Sequence, residues 1–418
     1  MHMEITLILG YVCTFLFIIC AAIHYSKNSS IHFATWILLI GVIYGAIRHY
    51  LKVDLLQIGI RPDIVFYILL PILIFESAQN IKFQKLREVG IEVMLFATVG
   101  MLTTAILVAV LLAWLLNPPI VDINPPLVDM LLFGIIIAST DPVAVLAIFR
   151  RYPLPEKLKL MIEGESLLND GTVLILYSIL VALVIDNSPF VFGKSILQIM
   201  WAFGGSMLLG AFAGLVTARI LQAWHESSDN FISPCITIIT ALMSFLFAEY
   251  ILGTSGVIAV MTAAMTFTNC QLKGKAYTIS PQDQHIFSEF WKSLGAIAHS
   301  ILFFLLGVEM GAHIFAVPLM SIVWVIIVVL VSRSIAVYAC SALLHIFNKK
   351  ILLSWQHILN AGGLKGALAI ALILMLPKTY PHRTLMLCSA FVVVLFTLII
   401  NTAVMQVILK RMDLSEKK

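Results

Sequence analysis

Of the 418 residues, 61% are hydrophobic and only 11% are charged, where an ordinary soluble domain carries roughly a quarter of charged residues. A mean hydropathy of +1.02, spread along the whole chain, excludes both a soluble protein and a soluble enzyme held by a single anchor. The net charge of +4 does not point to nucleic acid, because the lysines and arginines lie in short loops between apolar runs, where they report membrane orientation.

A bilayer core of roughly 30 Å needs about 20 apolar residues per helix. Against that ruler thirteen spans appear, at about 3–23, 31–47, 63–79, 91–116, 127–149, 160–185, 195–218, 231–250, 253–269, 291–310, 317–345, 355–376 and 384–409. The expected fold is therefore an all-α integral membrane protein. The first span has no positively charged lead and is followed by twelve more, so it reads as a membrane helix and not a cleaved signal peptide. Asn117-Pro118-Pro119 and Asn124-Pro125-Pro126 punctuate the chain, while residues 250–254 leave barely a turn between the eighth and ninth spans. With the N-terminus outside, 18 of the 26 lysines and arginines fall inside and 6 outside, the last two being Arg333 and Lys365 within spans. The asymmetry predicts a C-terminus in the cytoplasm and a protein of the cytoplasmic (inner) membrane. The tail after Leu409 is too short for a soluble regulatory domain. Cys13, Cys20, Cys235, Cys270, Cys340 and Cys388 lack any C-x-x-C spacing, so neither a disulfide framework nor a zinc site is expected, and they read as core residues.

A charge at the membrane centre costs about 2.5–3.5 kcal/mol even on the lenient insertion scale, which makes each one a functional candidate. The deep set is Glu76, Asp141, Glu165, Asp170, Arg333 and Lys365, with Glu249 and Glu309 near span ends. Buried salt bridges that fix helix packing are the competing reading. Four acids against two bases leave a demand for cations.

The fifth span carries Ser139-Thr140-Asp141-Pro142. Proline removes a backbone donor and clashes with the preceding turn, and open backbone at membrane depth is tolerated only where it is buried in protein or lines a cavity. Either the span is simply kinked, or it is broken, with Asp141 facing a half-helix N-terminus and the Thr140 carbonyl turned toward an ion. The sixth span opens with Glu163-Gly164-Glu165-Ser166, followed by Asn169-Asp170-Gly171. Helical periodicity puts Glu165, Ser166, Asn169 and Asp170 on one arc, an oxygen-rich face suited to a hard, redox-inert cation such as sodium; Glu163 itself reads as a helix-start residue. In the twelfth span, Gly362, Gly363 and Gly366 flank Lys365, so the backbone can open there and the ammonium can answer carbonyl ends. Interruptions seven spans apart are the spacing of two inverted six-helix repeats, spans one to six and eight to thirteen, with the seventh as linker.

Taken together, Phe75-Glu76-Ser77, Ser139-Thr140-Asp141-Pro142, the run from Glu163 to Asp170, Ser332-Arg333 and Gly362-Gly363-Leu364-Lys365-Gly366 resemble the monovalent cation/proton antiporter superfamily, in its sodium/proton exchanger branch of the Asn-Asp, prokaryotic NhaP-like kind. The resemblance implies exchange of sodium, or lithium, for protons, one for one and electroneutral, serving pH homeostasis, with no cofactor and no enzymatic activity. It implies that Asp170 holds a proton or the cation in alternation, with Ser166, Asp141, the Thr140 carbonyl and Glu76 contributing other oxygens. Asn169 would orient the broken fifth helix, and Glu165 would pair with Arg333. It also implies a homodimer in membrane lipid. Helices 1–3 and 7–10 (about 1–79 and 195–310) would form a dimerisation scaffold, and helices 4–6 and 11–13 (about 91–185 and 317–409) an ion-binding core that moves like an elevator. At Lys365 the usual residue of this branch is arginine; lysine keeps the charge and loses the planar fork. Potassium in place of sodium and a passive cation channel are the rival functions. An intramembrane hydrolase is disfavoured, since neither H-E-x-x-H nor G-x-S-x-G occurs. His299, in the tenth span, is either a pH sensor or a buried histidine satisfied by neighbouring backbone.

Overall fold

The computed structural model describes residues 2–26, 33–51, 62–118, 123–149, 152, 154–185, 192–224, 232–273, 281–313 and 318–411. Loop charges used above for orientation, among them Lys27, Arg150, Arg151 and Lys275, lie outside the described residues, as do Pro119 and the tail from residue 412. Lipid offers the backbone no hydrogen bonds, so a chain this apolar satisfies its amides within helices, and a helix runs through every apolar stretch marked on the sequence. In order these are α1 (His2–Ser26), α2 (Phe33–Leu51), α3 (Val65–Ala78), α4 (Gly90–Leu115), the pair α5 (Leu127–Ala138) and α6 (Val143–Phe149), and α7 (Glu156–Val184). There follow α8 (Phe192–Ala223), α9 (Ile232–Leu252), α10 (Gly256–Lys273), α11 (Pro281–His313), α12 (Leu319–Leu343), the pair α13 (Leu353–Ala361) and α14 (Ala367–Met375), and α15 (Arg383–Arg411). Among the described residues, eight of these helices are long and apolar enough to cross a membrane unaided.

The tight connection between α9 and α10 is made by Gly253, whose φ of 59° is a left-handed conformation that glycine adopts without a Cβ penalty. Glu249 then accepts a hydrogen bond from the Gly256 amide at 2.9 Å, so this near-interface acid caps the next helix.

Packing between helices relies on small residues that let backbones touch, since lipid supplies no hydrophobic drive for association. A Cβ on Gly41 or Gly45 of α2 would strike the carbonyls of Phe304 or Val308 on α11, and one on Gly307 or Gly311 would strike those of Leu38 or Val42. Gly210 and Gly214 seat α8 on α10 against Ala259 and Ala263 in the same way. Around the interrupted pairs, α5 and α14 pack on each other, α7 lies on α5, α12 lies on α4 and α15, and α11 touches α3, α14 and α15. The expectation that the cysteines are core residues holds for Cys340 and Cys388 alone. Cys235 and Cys270 are half-buried, and Cys13 and Cys20 are exposed because α1 packs chiefly along α2.

Candidate functional site

Two interrupted helices, α5/α6 and α13/α14, meet at their breaks. After Ala138 the chain is extended, Ser139 having φ −52° and ψ 143°, and helix resumes beyond Pro142. After Ala361 the second chain opens through Gly362 and Gly363 and resumes helix beyond Gly366, itself extended. The strands of backbone between them touch, and the Asp141 amide donates to the Leu364 carbonyl at 2.8 Å. Gly366 is needed for this approach, because a Cβ there would lie 2.6 Å from the Cβ of Asp141.

The carbonyls released by the breaks are answered by side chains. Lys365, 1% exposed, donates from Nζ to the Ala138 carbonyl at 3.2 Å and the Ser139 carbonyl at 3.4 Å. Its cation thus sits at the C-terminal end of α5, where a helix dipole favours positive charge, and its own amide donates to Thr397 Oγ1 at 3.1 Å. Thr397 opens a wide turn of π-helix, 397–401, inside α15, a departure from regular helix that is frequent at functional sites. From α7, Asn169 Nδ2 donates to the same Ala138 carbonyl at 3.0 Å, and the Ser166 hydroxyl donates to the Thr140 carbonyl. Glu165 and Arg333 form an ion pair, 2.5 Å between Oε1 and the guanidinium, and Arg333 also donates to the Leu359 carbonyl at 3.1 Å. One arginine therefore ties α7, α12 and the last turn of α13 together.

Asp141 and Asp170 line one cavity of about 70 Å³, with Ser139, Thr140, Ser166 and His299 in its wall. That is room for a few waters or a small ion. Ser139 Oγ, Asn169 Oδ1 and Asp170 Oδ1 are buried and make no hydrogen bond among the described residues. Buried polar atoms normally find partners, so the Ser139 hydroxyl, the Asp141 and Asp170 carboxylates and the Thr140 carbonyl, all in the cavity wall, form an oxygen set that fits a hard cation. Among the described residues there is no cluster of three or more histidine, cysteine, aspartate or glutamate side chains suited to a bound metal.

Glu76 stands apart from this wall: Ser77 lines the cavity, while Glu76 lies on α3 against Gly295 of α11, where a glycine Cβ would fall 3.0 Å from its Cγ. His299, on the other hand, enters the site. Its Nδ1 donates to the Gly295 carbonyl at 3.0 Å, and Nε2 faces Asp141 Oδ2 at 4.0 Å. Backbone satisfaction and a place in the cavity are thus combined in one ring.

Other buried charges lay outside the sequence-based set. Glu92, 1% exposed, is flanked by Lys157 at 3.3 Å and Lys349 at 3.4 Å. Asp129 accepts from Tyr380 Oη at 2.8 Å and from His382 Nδ1 at 2.6 Å. Both acids occur near span starts, but their partners are far away in sequence and leave no local signal.

The family described as "Sodium/hydrogen exchanger, transmembrane" matches residues 8–411. The Na(+)/H(+) antiporter NhaG of Bacillus atrophaeus is 32% identical over 91% of this chain and 70% of its own length. The Na(+)/H(+) antiporter ApNhaP of Aphanothece halophytica is 30% identical over 87% and 67%. In fold, the chain superposes on the sodium proton antiporter MjNhaP1 from Methanocaldococcus jannaschii with a TM-score of 0.78 and 17% identity, covering 99% of this chain and 100% of that one. A profile match over nearly the whole length, a relative above 30% identity and two broken helices crossing beside paired aspartates agree: the chain belongs to the sodium/hydrogen exchanger family.

Proposed function

We propose that this protein is a secondary antiporter that exchanges sodium, or lithium, for protons across the cytoplasmic membrane, with Asp170 as the shared site. The observation that carries this reading is the meeting of Asp141 and Asp170 in one cavity, where an oxygen of Asp170 has no partner among the described residues. A carboxylate oxygen holds a proton or a metal ion, but not both. The bare anion is expensive to carry through an apolar boundary, whereas the protonated or cation-loaded form is not. Occupancy therefore licenses movement, and movement in both directions with exclusive ligands is exchange.

In this reading Thr140 and Ser166 supply further oxygen around the cation, with Glu76 supporting from α3, while Asn169, Lys365 and the Glu165–Arg333 pair hold the crossing in shape. One exchanging carboxylate gives a stoichiometry of one for one and electroneutral transport. The helices of the crossing, about 91–185 and 317–409, move as the core against a scaffold of about 1–79 and 195–310, through which two copies associate. The N-terminus lies outside and the C-terminus in the cytoplasm. The relatives at 30–32% identity are Na(+)/H(+) antiporters, which supports sodium over potassium.

The test is sodium-dependent dequenching of a pH-sensitive dye in everted vesicles. Asp170→Asn is expected to abolish it, and a retained signal refutes the assignment. Potassium is added in a parallel arm: a response equal to that of sodium replaces the substrate, and cation flux without proton movement replaces the antiporter with a channel. In proteoliposomes the rate is expected to be insensitive to membrane potential.

A further inference from the structure

A groove of about 860 Å³ runs between the helices of the crossing and those beside it, lined by α4 and α7 on one side and α8 and α10 on the other. Its polarity is ordered along its length. Away from the helix ends the wall is mostly apolar and soft, with Leu168, Met207, Met261 and Met265; methionine side chains adapt to flexible apolar partners. Two or three turns farther on, where α8 and α10 end and α4 begins, the wall carries Arg87, Arg219 and Asn269. Asn269 Oδ1 accepts from the Phe83 amide at 3.2 Å, which fixes the short helix Phe83–Glu88, and with it Arg87, at this mouth. Both arginines are exposed. Neither makes an ion pair among the described residues.

An occupant that matches this order is apolar at mid-membrane depth, anionic at one end and about as long as half a bilayer. We propose that the groove is a binding site for one anionic phospholipid, with an acyl chain among the methionines and the phosphate between Arg87 and Arg219. The orientation proposed above puts the arginine end at the cytoplasmic leaflet, where anionic lipid attracts basic side chains. The site has a mechanical meaning. Arg87 belongs to the segment leading into α4, Arg219 to α8, and Leu167 lines both this groove and the cavity of Asp141 and Asp170. A headgroup held by both arginines links the helix bundle that carries Asp170 to the helices beside it, so its binding and release alter how readily the two slide.

The experiment measures lipid retention directly by native mass spectrometry of the purified full chain, offered phosphatidylglycerol and phosphatidylcholine in equal amounts. The wild type is expected to retain phosphatidylglycerol in preference. Arg87→Gln and Arg219→Gln are each expected to weaken that retention about fivefold, the contribution of one arginine near an anionic surface. Met207→Trp, which fills the groove and leaves both arginines, is expected to displace either lipid. Equal retention of phosphatidylglycerol by the wild type and the double arginine variant overturns the proposal. So does an efficient cross-link between two copies through Met207→Cys, which would mean that a second copy covers the groove. Retention is read without transport, so a failure of sodium/proton exchange and a failure of lipid binding are told apart. Exchange in pure phosphatidylcholine vesicles is expected to be the same for the wild type and the arginine variants, with stimulation by phosphatidylglycerol confined to the wild type.

Discussion

The amide of Asp141 donates to the carbonyl of Leu364 at 2.8 Å, so each interrupted helix uses the other to close its open backbone. The Asp141 carboxylate and the glycine-rich break are consequently one unit, and Lys365, reaching the Ala138 and Ser139 carbonyls, completes it. Lys365→Met leaves the Ser139 carbonyl unanswered in a buried site and the Ala138 carbonyl with Asn169 alone, at a cost of about 1–3 kcal/mol. A lower melting temperature and lost exchange are expected; full exchange at wild-type stability would show that the ammonium is dispensable.

Gly366→Ala is a sharper probe of the same crossing. The new Cβ would lie 2.6 Å from Asp141 Cβ and 3.2 Å from its Oδ2, so the carboxylate must shift. Overpacking of this kind costs about 1–3 kcal/mol. Titrating exchange against sodium is expected to give a raised half-saturation concentration with abundance close to wild type; an unchanged value would mean that Asp141 has freedom to move.

Breaking the Glu165–Arg333 pair strands a buried charge, and losses of about 3–5 kcal/mol are typical. Glu165→Ala is expected to express poorly and melt early, and a second change, Arg333→Met, is expected to restore part of the loss. Thermal melts of the three proteins decide this, and additive losses in the double variant would dismiss the coupling.

His299 presents Nε2 to Asp141 across the cavity while Nδ1 is held by the Gly295 carbonyl. His299→Leu removes a polar group from the cavity wall and His299→Asn keeps one. Sodium half-saturation is expected to rise several-fold in the first and much less in the second, at similar maximal rates. Indistinguishable sodium curves for the two would mean that the ring serves packing alone.

Burial, reinforced by the hydrogen bond to Asp129, pushes the Tyr380 phenol above its ordinary value near 10. A raised value stabilises the fold fully below the unfolded value and progressively less as pH rises above it. Tyr380→Phe is therefore expected to cost about 1–3 kcal/mol, with the same gap in melting temperature at pH 6 and pH 9. A gap that widens as pH rises from 6 to 9, as a lowered phenol would give, would contradict the assigned direction.

Helix positions were legible because membrane thickness sets their length, and both interruptions were legible because Asp141-Pro142 and Gly362-Gly363 have few other uses inside an apolar run. The rotation of each helix was harder to read. Nothing in the run around His299 says that its ring faces Asp141, 158 positions earlier in the chain, because residues 294–308 of α11 are apolar apart from His299 and Ser300. Glu76 illustrates the reverse: its charge marked it, yet the turn of α3 sets it against Gly295, with Ser77 toward the cavity. Lys349 beside Glu92 and His382 beside Asp129 join loops to helix starts, and such joins depend on tertiary arrangement alone.

The mutual seating of Gly41 and Gly45 with Gly307 and Gly311 leaves no thickness of side chain between α2 and α11. Two rods in such contact behave as a single beam, and His299 is bolted to it. In the exchange cycle proposed above, a displacement of Asp141 would be measured from a mount that does not bend, and a distance probe on α11 would record each stroke without correction for its own flexing.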